Sequence, residues 1–171
     1  MDSRLKTAAL LAAAVILPDQ FTKVLIQQKY ALWDTDPVIP GFFNLAHVLN
    51  KGAAFGFLNR HDTDWQIWFF VAVTIFAVGF IYYLLTTADK GDRFFIWGLG
   101  LVLGGALGNL IDRIRIGFVV DFLDFYVGEY HWPAFNVADI AITCGAFCVI
   151  VSMYVKNRRE GGKNAQGAQG A

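Results

Sequence analysis

The stretch "PAFNVADIAITCGAFCVIVSMYV", residues 133–155, decides how this chain folds. From Ile140 to Val155 it holds almost nothing a lipid bilayer would reject, yet a carboxylate, Asp139, stands at its mouth. A run of roughly 20 apolar residues is long enough to cross the hydrocarbon core as a helix, so the segment reads as a transmembrane span over 136–155. With Asn136 as the N-cap, Asp139 is the third helical residue. There a carboxylate bonds back to the cap and meets the positive end of the helix dipole. Capping alone accounts for Asp139 in this window, and any further role needs a partner from elsewhere in the chain.

Three more windows of this kind lie upstream, over about 7–26, 67–87 and 94–111. In a chain of 171 residues, 56% hydrophobic and 16% aromatic, they exclude an ordinary soluble domain. The first window follows Arg4 and Lys6, as a cleavable signal peptide would, but runs past the usual short apolar region. No small-residue cleavage site precedes Pro18 and Asp19, so it reads as a retained helix. The expectation is an all-α integral membrane protein with four transmembrane helices in one domain, 1–156. A small, polar tail, 157–171, is expected to be disordered and cytoplasmic.

The basic residues give the orientation. Arg4 and Lys6, Lys90 and Arg93, and Lys156, Arg158, Arg159 and Lys163 fall on one side, eight against five (Lys29, Lys51, Arg60, Arg113, Arg115) on the other. By the positive-inside rule both termini are cytoplasmic. A formal net charge of zero gives no reason to expect a nucleic-acid partner. Cys144 and Cys148 stand one helical turn apart and read as small apolar packing residues, since a disulfide there strains the helix and two thiols make a poor metal site.

The two outer segments are not plain helix. Residues 36–59, "DPVIPGFFNLAHVLNKGAAFGFLN", carry prolines and turn residues and no helical spacing, so short strands and turns on the membrane surface fit best. Residues 121–136, "DFLDFYVGEYHWPAFN", are rich in the aromatic side chains that settle at a lipid–water boundary, and a short amphipathic interfacial helix or an irregular segment is expected there. No internal repeat is visible, which argues against a transporter built from inverted halves.

Ionisable groups at the edge of spans are costly and are functional candidates by default. Here they are Asp19, Lys23, Asp112, Arg113, Asp121 and Asp139, all near the outer ends of their helices in this topology. Asp19 and Lys23, four apart, share a helix face and can pair, either as an interfacial salt bridge or in support of a site. Asp112 and Arg113 can be simple boundary charges. Gly104, Gly105 and Gly108 in "GGALGNLIDR" allow close helix approach, leaving Asn109 on an interior face where its amide can orient a carboxylate. Asp121, in "VVDF", is carried to the same depth as Asp139 on an apolar segment. Two carboxylates meeting at low dielectric cannot both ionise easily: one keeps its proton and polarises a carbonyl, and the other takes a proton from water. That division suits amide hydrolysis. No serine, cysteine or histidine arrangement competes, and "HDTD" at 61–64 reads as a solvated turn rather than a metal site.

Taken together, "DQFTK" (19–23), "NKGAAFGFL" (50–58), "GGALGNLIDR" (104–113), "VVDF" (119–122) and "PAFNVAD" (133–139) resemble, in order and spacing, the lipoprotein signal peptidase (signal peptidase II) family. The resemblance covers all but the last fifteen or so residues. It implies a bacterial inner-membrane aspartic peptidase with four transmembrane helices and a small extracytoplasmic β-like cradle. Such an enzyme cuts the signal peptide from prolipoproteins just before a diacylglyceryl-modified cysteine, with no metal or other cofactor. Asp121 and Asp139 are then the catalytic pair, Asn50, Asn109, Asn136 and Arg113 surround them or contact substrate, and Asp19 and Lys23 support the site. Gly56 departs from the serine common in the family. Gly52 and the residues to 57 are expected to form a flap over the substrate. The partners implied are lipidated precursors and membrane lipid, and the chain is expected to act as a monomer.

Two other readings stay open at this stage. In one, the same charges form an ion path in a small transporter or channel component, although they gather at one face and do not run through the membrane. In the other, the chain is a non-catalytic assembly factor whose aspartates only cap helices and pair with Arg113 or Lys23.

Overall fold

The computed structural model describes residues 2–52 and 65–169, with side chains to Arg158. Its four helices are α1 (Ser3–Lys29), α2 (Trp65–Thr87), α3 (Arg93–Ile116) and α4 (Val137–Gln169), each long and apolar enough to cross a membrane. Three of the expected windows fall inside them, and the fourth, 136–155, begins one residue before α4, at its N-cap. α4 continues beyond its span-long apolar part, which ends at Arg158, into the polar segment that composition reads as disordered. The bundle is apolar outside: Leu10, Leu17, Phe76, Ile114, Phe147 and Ile150 are all exposed.

α3 is the most buried helix and α2 the least. α3 packs between α1 and α4, and glycine allows it on both sides. A Cβ added at Gly104 would lie 2.9 Å from Ala12 Cα of α1, and one at Gly105 would lie 2.3 Å from the Ala138 carbonyl of α4. Both are closer than real Cβ contacts allow, so the backbones meet where no larger residue fits.

At one end of the bundle the connections form a four-stranded antiparallel sheet, ordered β1 (Thr35–Ile39), β2 (Phe43–Asn50), β3 (Val119–Val127), β4 (Tyr130–His131). β1 and β2 bear out the strands expected in 36–59. The aromatic segment after α3 corrects the expectation of an interfacial helix: it is β3 and β4 followed by an irregular stretch over 132–136, and among the described residues the helices are the four of the bundle. "VVDFLDFYV" is rich in β-branched and aromatic residues, which suit a pleated surface, and its first four residues are all buried. Aromatic content pointed to the interface, and with both faces of the strand's first half buried no alternation marked it as a strand. Val120 and Phe122 pack with Ile26 of α1 and, at its margin, Leu45, Leu49 and Ile116, which locks the sheet onto the helix ends. In the β2–β3 register Val48 pairs with Asp121 and Asn50 with Val119.

Candidate active site

The ends of α1, α3 and α4 meet the β2–β3 pair in a buried polar layer. Lys23 is its centre. The side chain is fully buried, and its three ammonium donors find three acceptors: Asp19 Oδ2 at 2.9 Å, Asp112 Oδ2 at 2.8 Å and Asn109 Oδ1 at 2.9 Å. Asp19 and Asp112 are also wholly buried, and such charges persist only when paired and fully hydrogen-bonded. Gln20 Nε2 donates to Asp19 at 3.2 Å, to Asp112 at 3.1 Å and to the Gly108 carbonyl at 3.1 Å. Asp19 Oδ1 accepts from the Ala138 backbone N–H at 2.9 Å, tying α1 to the first turn of α4. Gly108 makes room for this, because a Cβ there would lie 2.7 Å from Asp19 Oδ2.

The ammonium decides how the Asn109 amide faces. With Oδ1 on Lys23, Nδ2 is presented to Asp139 Oδ1 at 2.9 Å. Asn136 is the N-cap of α4: its Oδ1 accepts from Asp139 N–H at 3.0 Å, and Asp139 Oδ2 accepts from Asn136 N–H at 3.2 Å. This is the reciprocal capping arrangement foreseen for "PAFNVAD". The Asn136 Nδ2 group turns the other way and donates to Asp121 Oδ1 at 2.7 Å, with Val120 O and Asn109 Oδ1 also in reach at 3.3 and 3.2 Å. One asparagine therefore holds both carboxylates. Asn50 Nδ2 supplies Asp121 Oδ2 at 3.1 Å, from the paired strand.

Asp121 lies on β3, outside the spans. Burial, and after it the neighbouring Asp139 charge, push its carboxyl up to about 7, against the hydrogen bonds from Asn50 and Asn136 that pull it down.

Arg113 bounds the layer. It donates through Nη2 to the Gly52 carbonyl at 2.8 Å and through Nη1 to the Asn109 carbonyl at 3.4 Å, and its guanidinium lies 4.7 Å from the Phe70 ring centroid. Its buried Nε has no partner among the described residues. The Gly52 N–H donates to Asn50 Oδ1 at 2.8 Å, so both backbone groups of Gly52 are fixed by site residues. The rest of the expected flap, 53–57, and "HDTD" lie outside the described residues.

All nine residues singled out from sequence thus lie in one layer. Gln20 and Asp112 belong to it as well: Gln20 was not singled out, and Asp112 was flagged among the edge charges but given no place in the site. Gln20 carries no charge to flag it, and Asp112 beside Arg113 looked like a boundary pair, although Lys23 takes the aspartate and Gly52 the arginine. The histidines outside 53–64 stand apart, His47 Nδ1 on the Tyr30 carbonyl at 2.9 Å and His131 Nδ1 on Asp124 at 2.8 Å. Among the described residues no three His, Cys, Asp or Glu side chains converge as a metal cluster.

A sequence profile of the signal peptidase (SPase) II family matches residues 11–155. A lipoprotein signal peptidase from Maridesulfovibrio salexigens is 60% identical over 151 residues, covering 88% of this chain and 96% of that one. One from Nitratidesulfovibrio vulgaris is 56% identical over 144 residues, covering 84% and 87%. A solved structure described as a bacterial membrane enzyme, determined by the in meso method at 2.3 Å resolution, superposes with a TM-score of 0.79 at 34% identity, covering 89% of this chain and 90% of that one. With four span-long helices, and a match over most of its length, this chain belongs to the signal peptidase II family of multi-pass inner-membrane proteases.

Proposed function

We propose that this protein removes the signal peptide from diacylglyceryl-modified prolipoproteins, cleaving before the lipidated cysteine, with Asp121 and Asp139 as the catalytic pair. The observation that carries the assignment is Asn136, whose amide and backbone N–H hold Asp121 and Asp139 together at the mouth of a span. The carboxyl of the pair that keeps its proton donates it to the scissile carbonyl oxygen, while the ionised one takes a proton from the attacking water. The tetrahedral carbon then expels the amine, which leaves with a proton returned by the pair. Asp121, poised near 7, can hold either state at neutral pH.

Asn109 and Asn136 orient the carboxylates, Lys23 with Asp19 fixes Asn109, and Asn50 and Arg113 fix the start of the 52–57 flap through Gly52. On this reading both termini and the 88–93 turn are cytoplasmic, the site faces the other side, and the sheet is the cradle on which the precursor lies. A lipid anchor keeps the substrate in the bilayer, so acids and water must be brought to membrane level. Every group of the layer comes from one chain, which fits a monomer.

The test replaces Asp121 and Asp139 singly by asparagine, which keeps shape and still caps a helix. Cleavage of a diacylglyceryl-modified precursor should fall by about a hundredfold or more in each variant, and the unlipidated precursor should be a poor substrate for the wild type. Full activity in either variant would remove the pair, and equal cleavage of both precursors would remove the lipid requirement.

A further inference from the structure

The opposite end of the bundle holds a second charged constellation. α1 and α3 both begin there, held close at Gly100, where an added Cβ would lie 3.0 Å from Ala8 Cα. Ser3, Arg4 and Thr7 from α1, Arg93, Ile96 and Trp97 from α3, and Lys90 from the α2–α3 turn line an open cavity of about 400 Å³. Thr7 lies three and four residues from Arg4 and Ser3, and Arg93 three and four from Ile96 and Trp97, so each set covers one face of its helix.

The charges in this cavity do not cancel. Arg4 is committed, its Nε and Nη2 to Asp2 at 3.1 and 2.7 Å and its Nη1 to the Ala88 carbonyl. Lys90 and Arg93 are exposed and make no side-chain hydrogen bond or ion pair with another described residue. The nearby acids are engaged elsewhere: Asp92 accepts from Phe95 N–H at 3.0 Å and from Ser152 Oγ at 2.5 Å, and Asp89 accepts from Gly91 N–H at 2.9 Å. Both line the neighbouring cavity, not this one. Within the lining of this cavity the charged groups are therefore Arg4, Lys90 and Arg93, with the hydroxyls of Ser3 and Thr7 as further donors, while Asp89 and Asp92 keep their charge on the side of the neighbouring cavity.

That neighbouring cavity, about 690 Å³, shares Arg93 and Trp97 with the first; Asp89, Asp92, Ser152 and Lys156 line it as well, and its apolar wall is Phe94, Val151 and Val155 between α3 and α4. A cationic pocket with hydroxyl donors therefore opens past an exposed tryptophan onto an apolar wall, at the end of a membrane bundle. A free anion would use only the first half of this arrangement, whereas a phospholipid matches both halves.

We propose that this cavity binds the headgroup phosphate of an anionic phospholipid between Lys90 and Arg93, with an acyl chain laid past Trp97 along Phe94, Val151 and Val155. The site lies at the end remote from the carboxylate layer and takes no part in the hydrolysis.

Native mass spectrometry of the full chain, released from detergent with added phosphatidylglycerol or phosphatidylcholine, tests the proposal. The wild type should retain phosphatidylglycerol in preference to phosphatidylcholine. Lys90→Gln and Arg93→Gln should each lower the retained phosphatidylglycerol by about fivefold, and the double variant should bring it to the phosphatidylcholine level. An unchanged unfolding temperature in phosphatidylcholine shows that the variants fold. Undiminished phosphatidylglycerol in the double variant would overturn the site. Displacement of the lipid by millimolar inorganic phosphate would also overturn it, in favour of a free-anion site.

Discussion

At the residue scale, the site turns on amides whose direction is set by charges. Lys23 fixes Asn109, Asn109 and Asn136 fix Asp139, and Asn136 fixes Asp121. Removing the ammonium leaves Asp19 and Asp112 buried without their counter-ion. Lys23→Met should therefore cost about 3–5 kcal/mol in stability, read as a large drop in unfolding temperature in detergent. Asp121 gives a pH signature. Its folded carboxyl is raised from 3.8 to about 7, so its proton is bound more tightly in the folded chain than in the unfolded one. Its contribution to stability is full below about 4 and is lost as pH rises through about 7. Asp121→Asn should flatten unfolding temperature against pH across this window and gain on the wild type above it. Asp139→Asn, which removes the second-ranked cause of the shift, should move the midpoint below 7 only modestly, because burial comes first.

At the element scale, the glycines of α3 set how closely its backbone approaches α1 and α4. Gly105→Ala would push a methyl group into the Ala138 carbonyl, which is backbone and cannot swing away. Ala138 lies one residue before Asp139, so the displacement falls on the candidate acid. The expected result is a loss of about 1–3 kcal/mol in stability, with cleavage reduced further than the folded fraction explains. Gly79, in the little-buried α2, has nothing within 4 Å of an added Cβ. Gly79→Ala should stay within about 0.5 kcal/mol of wild type and keep full activity. Equal damage in both variants would mean that α3 packing is not what positions the acid.

At the scale of the whole molecule, the bundle separates two chemistries, the carboxylate layer under the sheet and the basic cavity at the other end. The proposed topology puts the 88–93 turn in the cytoplasm. In a chain with Cys144 and Cys148 replaced by alanine, Asp89→Cys should react with a membrane-impermeant maleimide only when the cytoplasmic face is open, and Tyr130→Cys, on exposed β4, only from the other side. The reverse labelling would turn the protein over and place the carboxylate layer on the side where no exported precursor waits.

Sequence by itself determined the four spans, because about 20 apolar residues in a row have few other uses. It also determined the N-cap at Asn136 with its reciprocal carboxylate, because capping is a local bond between neighbours. The strand at 119–127 was not legible, because its apolar and polar residues do not alternate and its first half is buried on both faces. Only the tertiary structure decided that Lys23 reaches across to Asp112 on α3, that Gln20 joins the two aspartates it serves, and that Asn136 spans from Asp139 to Asp121. The bonds from Gln20 to Asp112 and from Asn136 to Asp121 join residues 92 and 15 positions apart. Their partners are chosen by where helix ends and strand register bring polar atoms together in a place that water cannot satisfy.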